Sequence, residues 1–287
     1  MCFIMVSRAL AYIRITRPPN GILMFLAVLV GVLFSESKSL TPEQFILAFV
    51  TAYGLNSSSM VVNDYFDVEA DSISNPTRPI PAGLISGKAA LTYTALLAAA
   101  GLLSAALTST VCFGFAALAY LASFLYNAKL KKSGFVGNIT VSFDVVAPFI
   151  YGALISDGAV NERVLSFALL AFLSNTGREV IKGTVDVEGD EKREVRTVAR
   201  VRGVKPAAAL GASLYLAAVI LSPLPYLLGY VGWMYLPAVL VADIGFTYSA
   251  FSVLKDPTPP SARRHKGLTL LWMLVALISF MIGGFFR

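Results

Sequence analysis

Hydrophobic residues along this chain gather into nine long runs rather than into the narrow stripes of a water-soluble fold. The runs span 18–34, 43–65, 89–107, 110–127, 138–156, 162–182, 206–222, 228–253 and 267–286. Each is long enough, or nearly so, to cross a hydrocarbon core, which takes about 20 helical residues. Ala, Leu, Val and Phe interspersed with Gly and Ser suit helices that pack closely on one another. A β-barrel would alternate in short segments instead. The first run is too long and too poorly flanked for a cleavable signal peptide, with no small-residue site after a basic start. The pattern predicts an all-α, polytopic membrane protein: one bundle of nine transmembrane helices spanning residues 1–287, with a central cavity.

Composition sharpens this. The 287 residues are 56% hydrophobic and 14% charged, against about 25% charged in soluble domains, so there is too little charge to cover a water-facing surface. The net charge of +6 does not point to nucleic acid, because of where the basic residues lie. The N-terminal segment and the connections after the second, fourth, sixth and eighth runs hold 20 of the 23 Lys and Arg; Lys38, Arg163 and Arg287 are the other three. That asymmetry predicts a cell-membrane protein whose N-terminus and long loops are cytoplasmic, with the cavity opening on that side. Two cysteines, Cys2 and Cys112, exclude a disulfide scaffold and read as inert.

Seven of the 17 acidic residues form two clusters on the basic side. The second run ends in Asn63-Asp64-Tyr65-Phe66-Asp67-Val68-Glu69-Ala70-Asp71, where Asn63, Asp67 and Asp71 recur every four residues and share one helix face. The sixth ends in Asp186-Val187-Glu188-Gly189-Asp190, with Glu179 near the same stripe. Each cluster precedes basic residues: Arg78 after the first; Lys192, Arg193 and Arg196 after the second. An even number of crossings separates them, consistent with a parallel pseudo-repeat of helix plus loop. One such cluster at a helix end reads as a solvated terminus, but two at matched ends read as a site. Carboxylates bordering a bilayer are costly unless paired or metal-bound. Hard oxygen ligands beside cations suit Mg²⁺ bridging protein carboxylates and substrate phosphates.

The first cluster continues as Pro76-Thr77-Arg78-Pro79-Ile80-Pro81-Ala82-Gly83 and resembles the signature of the UbiA superfamily of intramembrane prenyltransferases. So do Gly177-Arg178-Glu179-Val180-Ile181-Lys182 with Asp186 to Asp190, and Tyr126-Asn127-Ala128-Lys129-Leu130-Lys131. Within the superfamily, Ile15-Thr16-Arg17-Pro18-Pro19-Asn20 and the second motif are most similar to the archaeal digeranylgeranylglyceryl phosphate synthases. The resemblance implies two Mg²⁺ ions held by Asn63, Asp67 and Asp71 on one side and by Asp186 and Asp190 on the other. It implies diphosphate contacts from Arg78, Lys129 and Lys182, with Tyr126 beside the allylic carbon and Arg17 and Asn20 on the acceptor's phosphate. The implied reaction transfers a geranylgeranyl group from geranylgeranyl diphosphate to the free hydroxyl of geranylgeranylglyceryl phosphate. One departure is Gly183, where members often carry an acid.

Two other readings stand beside this one. An aromatic acceptor (4-hydroxybenzoate, a naphthoate or homogentisate) would use the same metal site. A secondary transporter would place its site near the midplane, on interrupted helices in inverted repeats. Among other polar residues, Asp144 and Asp243 are intramembrane acids that either serve function or tie helices together. His265 reads as a solvated headgroup contact, and a single histidine supports neither a zinc site nor a Ser-His-Asp triad. Tyr120 and Tyr126 read as cavity liners.

Overall fold

The computed structural model of the chain describes residues 2–192 and 194–286. Arg193 and Arg287, both counted among the loop charges, lie outside the described residues, as do the side chains of Cys2 and Lys192. The described residues form helices and no strand: α1 (Cys2–Thr16), α2 (Pro18–Leu33), α3 (Pro42–Phe66), α4 (Val68–Ser74), α5 (Gly87–Thr108), α6 (Thr110–Ala128), a 3₁₀ turn (Leu130–Ser133), α7 (Phe135–Asp157), α8 (Glu162–Lys182), α9 (Val187–Lys192), α10 (Val198–Arg202), α11 (Val204–Leu221), α12 (Leu224–Leu227), α13 (Tyr235–Lys255) and α14 (Pro259–Phe285).

Nine helical spans among the described residues are long and apolar enough to cross a membrane, the first running from Arg8 to Leu33. They follow the nine predicted runs with two differences. A helix, α1, precedes the first run, and Arg17 separates it from α2. Arg17 takes the left-handed conformation (φ 49°, ψ 66°) instead of the extended one usual before proline, and Pro18 opens α2. The eighth run, expected from 228, begins its helix only at Tyr235. Pro223 and Pro225 break the chain, and Gly229 at φ 71° reverses it first.

Local sequence sets several helix starts. Thr41 and Gln44 form a reciprocal capping box at α3, while Ser86, Ser109 and Asn161 cap α5, α6 and α8. The spanning helices pack in chain order, α2 on α3, α3 on α5, α5 on α6 and so on, until α14 returns to α2 and closes the ring. A further contact of α2 with α7 crosses the ring and separates two apolar cores. One is built around Phe25, Val28, Cys112 and Tyr151, the other around Phe34, Phe149, Phe167 and Tyr235. The crossing requires glycine. A Cβ on Gly31 would lie 2.1 Å from the Phe149 carbonyl oxygen, and one on Gly152 would lie 2.1 Å from that of Val28.

Large aliphatics such as Leu118 (68% exposed) and Ile220 (76%) cover the outside, as a hydrocarbon-facing surface requires. Contacts between connections divide them into two sets. At one end Arg17, Asp64, Asp67, Lys131, Lys132, Arg196, Arg178 and Lys266 interconnect. At the other, Asp157 accepts from the backbone of Glu36 and Ser37, and Asn161 donates to the Phe34 carbonyl. The carboxylate clusters thus lie at the end where the basic residues concentrate.

Candidate active site

The first cluster straddles a helix break. Helix α3 ends at Phe66, and Asp67 (φ −92°, ψ 4°) links it to α4. The i→i−4 bonding nevertheless runs through the junction: Asp67 N–H donates to the Asn63 carbonyl at 3.0 Å, and Asp71 N–H to that of Asp67 at 2.8 Å. Asn63, Asp67 and Asp71 therefore keep the common face expected from their spacing.

Cations hold these acids. Lys131 pairs with Asp67, and Arg78 with Asp71. Asp64, buried at 3%, receives Arg17 at 2.5 Å and Arg78 at 3.1 Å. One chain of charges thus joins the α1–α2 junction, the end of α3, the short α4 and the loop after it. Arg17 also reaches the Met60 sulfur at 3.4 Å, and Asn20 reaches it at 3.7 Å, so both expected acceptor contacts are engaged within the protein. Lys129, an expected diphosphate contact, is exposed; the lysine of that turn that reaches the acids is Lys131.

Below this layer a polar column runs into the bundle. Asn63 donates from Nδ2 to Asn127 Oδ1 at 2.7 Å; Asn127 donates to Ser59 at 3.3 Å, and Ser59 bonds Ser123 at 2.6 Å. This orientation leaves Asn63 Oδ1, a hard acceptor, as the remaining polar atom of its amide. Tyr126 lies within electrostatic reach of Asp67 in the first motif and of Glu179 in the second. Tyr120, instead, bonds Ser58 at 2.7 Å.

The second cluster repeats the plan of long helix, break and short helix. Helix α8 ends at Lys182, and α9 carries the acids. Asp186 sits just before α9; its Oδ1 accepts from Gly189 N–H at 3.0 Å, and its carbonyl from Asp190 N–H at 3.0 Å. A Cβ at 189 would lie 2.1 Å from Asp186 Oδ2, so any other residue there displaces that carboxylate. Asp186 is exposed and Asp190 half-buried. Glu179, buried at 8%, accepts from Arg178 at 2.6 Å and Lys182 at 2.9 Å. Gly183 is buried, and a Cβ there would meet Thr197 side-chain atoms at 3.1 and 3.2 Å, so an acid at this position requires Thr197 to shift. The connection after α8 is tied to the turn after α6, where Arg196 N–H donates to the Lys132 carbonyl at 3.0 Å.

Among the described residues no three His, Cys, Asp or Glu side chains gather closely enough to hold a metal by themselves. The donor set fits Mg²⁺ all the same. Each motif brings two carboxylates, and Mg²⁺ is ordinarily bound through one or two carboxylates, with phosphate oxygens and water completing its shell.

The remaining expected residues separate clearly. Asp243 accepts from Ser222 at 2.6 Å and ties the end of α11 to α13. Asp144 buries Oδ1 with no hydrogen-bond partner. Cys112 is a buried free thiol. His265 is not solvated as expected: it is 3% exposed, edge-on to Tyr248 at 5.3 Å. Helix α14 already begins at Pro259, which carries position 265 into the contact with α13. Asp64 and Lys131 are site residues that sequence reasoning passed over, since their partners lie 47 and 64 positions away.

A closed membrane bundle with carboxylates and cations interleaved at one polar end is suited to a transferase acting on phosphate-bearing apolar substrates. The chain belongs to the UbiA prenyltransferase family, whose sequence profile matches residues 24–282, and it is accordingly a multi-pass membrane prenyltransferase. It is 35% identical to a digeranylgeranylglyceryl phosphate synthase of Archaeoglobus fulgidus over 273 residues, covering 94% of this chain and 93% of that one. A solved structure concerning digeranylgeranylglyceryl phosphate synthase in membranes superimposes with a TM-score of 0.79 at 29% identity, covering 97% of this chain and 99% of the other. A UbiA homolog from Archaeoglobus fulgidus bound to GPP and Mg²⁺ shares the fold, with a TM-score of 0.68 at 17% identity and coverage of 94% and 99%.

Proposed function

We propose that this prenyltransferase moves a geranylgeranyl group from geranylgeranyl diphosphate to the free hydroxyl of geranylgeranylglyceryl phosphate, forming the second ether bond of an archaeal-type membrane lipid. The observation that carries this reading is the pairing of Asp67 with Lys131 and of Asp71 with Arg78. Each acid is one half of a site for a metal–diphosphate complex, and each cation is the other half. The name carried by the full-length relatives supports the lipid-phosphate acceptor.

In this scheme Asn63, Asp67 and Asp71, facing Asp186 and Asp190, hold two Mg²⁺ ions. When bound, Mg²⁺ neutralises the charge that develops on the departing diphosphate. Arg78 and Lys131, whose carboxylate partners would hold the ions, would bind phosphate oxygens, joined by Lys182 and Lys129. Tyr126 presents its ring to the allylic carbon. The C–O bond to diphosphate breaks, the acceptor's hydroxyl oxygen attacks the allylic cation, and the hydroxyl proton passes to the released diphosphate. A central apolar cavity, opening on the cytoplasmic side with the N-terminus, receives the prenyl tail and keeps water from the cation.

Diphosphate release from geranylgeranyl diphosphate by the purified protein tests the scheme. Turnover is expected to require both Mg²⁺ and the lipid phosphate, and to disappear in Asp67→Ala and Asp190→Ala. Metal-independent turnover, or near-normal activity in either variant, overturns it.

A further inference from the structure

Beside the second acidic motif lies a group of charges that the scheme above does not use fully. Arg178 and Lys182 of α8 both pair with the buried Glu179, and Arg178 Nε donates to the Lys266 carbonyl on α14 at 3.3 Å. The Lys266 ammonium is half-buried, lies within electrostatic reach of Arg178, Lys182 and Glu179, and makes no ion pair among the described residues. Three cations therefore surround one carboxylate, leaving two positive charges without a carboxylate partner, one of them on the half-buried Lys266. A counter-ion at that point relieves the excess.

A second observation comes from α11. Tyr215 is 0% exposed, and its hydroxyl has no hydrogen-bond partner, although it lies within electrostatic reach of Arg178 and Glu179. The neighbouring Thr269 hydroxyl donates to the Lys266 carbonyl at 3.1 Å, which links the surroundings of Tyr215 to Lys266. A buried O–H without an acceptor, within electrostatic reach of Arg178, is suited to donate to an anion. A phosphate monoester carries about −1.5 to −2 charges at neutral pH, which matches the excess. Arg17 offers no such excess, because Asp64 compensates it.

We infer that Arg178, Lys266 and Tyr215, steadied by Glu179, form the subsite for the phosphate monoester of the acceptor lipid. Lys182, the most exposed member at 46%, remains the diphosphate contact of the scheme above. The inference rests on the acceptor proposed above and adds where its headgroup sits.

Equilibrium binding, without donor and with EDTA, tests it in detergent and in nanodiscs. The probes are geranylgeranylglyceryl phosphate, its dephosphorylated alcohol and inorganic phosphate. Wild type is expected to prefer the phosphorylated lipid by about tenfold or more, as for hydrogen bonds to a charged group, with inorganic phosphate competing. Lys266→Gln should erase most of that preference while leaving the alcohol's affinity unchanged. Tyr215→Phe should reduce the preference without loss of stability, since the hydroxyl it removes is unpaired in the free protein. The inference is overturned if the variants keep the wild-type preference, or if Lys266→Gln raises the KM of the donor rather than of the acceptor. It is equally overturned if anionic nanodisc lipids, but not inorganic phosphate, displace the acceptor in a Lys266-dependent way, because the subsite then belongs to bilayer headgroups. Failure of wild type to bind the phosphorylated lipid at all instead refutes the acceptor assignment.

Discussion

Asp64 holds the donor side of the site together, and replacing it by Asn should show this in both stability and catalysis. Its carboxylate is 4% exposed and receives two guanidiniums, Arg17 at 2.5 Å and Arg78 at 3.1 Å. Removing one partner of a buried ion pair costs about 3–5 kcal/mol. The arginines here are 33% and 31% exposed, so water recovers part of the loss and about 2 kcal/mol is the reasonable figure. For chains of this size each kcal/mol shifts Tm by about 2–4 °C, which gives about 4–8 °C for Asp64→Asn. The kinetic effect follows from Arg78, which loses one of its two anchors and is left with Asp71 alone. The KM for prenyl diphosphate should rise, and the Mg²⁺ requirement should persist. Tm is readable from intrinsic fluorescence in detergent, and the kinetics from diphosphate release. Arg17→Ala serves as the partner in a double-mutant cycle: because the two residues share one interaction, their effects should fall well short of additive. Full additivity, or an Asp64→Asn protein with unchanged Tm and KM, would refute the structural role assigned to this acid.

Four further substitutions probe other parts of the molecule. Gly152→Ala drives a Cβ to 2.1 Å from the Val28 carbonyl oxygen, so α2 and α7 must part; a loss of about 1–3 kcal/mol or more is expected, read as a lower Tm or as aggregation on size exclusion. Gly189→Ala puts a Cβ 2.1 Å from Asp186 Oδ2; it should raise the Mg²⁺ concentration needed for half-maximal activity while barely changing Tm, as α9 is a short peripheral helix. Lys131→Ala should impair turnover more than Lys129→Ala, since Lys131 is the lysine paired with Asp67; equal effects in the activity assay would contradict that assignment.

The spanning helices were legible because each must bury or expose to lipid nearly its whole circumference, leaving uninterrupted apolar runs between charged connections. Helix α1 was less so: with Arg8 and Arg14 it is too polar to read as a span. It is anchored by Ala11 and Ile15 packing into the cluster of Val61, Ile85 and Ala90, a tertiary contact. The four-residue spacing of Asn63, Asp67 and Asp71 survived a helix break because the i→i−4 bonds pass through Asp67. Their neighbour Asp64 was legible as an acid but not as an ion-pair hub, since its first partner, Arg17, lies 47 positions away at the left-handed junction of α1 and α2. Which lysine of Lys129, Lys131 and Lys132 reaches the acids depends on the pitch of a single 3₁₀ turn, and no periodicity in the sequence records that. His265 was misplaced for a related reason: three consecutive basic or polar neighbours suggested a loop, whereas Pro259 had already begun a helix.

Product analysis is the most direct test of the proposed chemistry. Purified protein, Mg²⁺ and geranylgeranyl diphosphate should be incubated in parallel with geranylgeranylglyceryl phosphate and with 4-hydroxybenzoate, and the lipid fraction examined by mass spectrometry. The expected result is a single diether phosphate from the first acceptor and no prenylated product from the second. A prenylated aromatic ring, with the lipid phosphate left unchanged, would contradict the assignment of the acceptor.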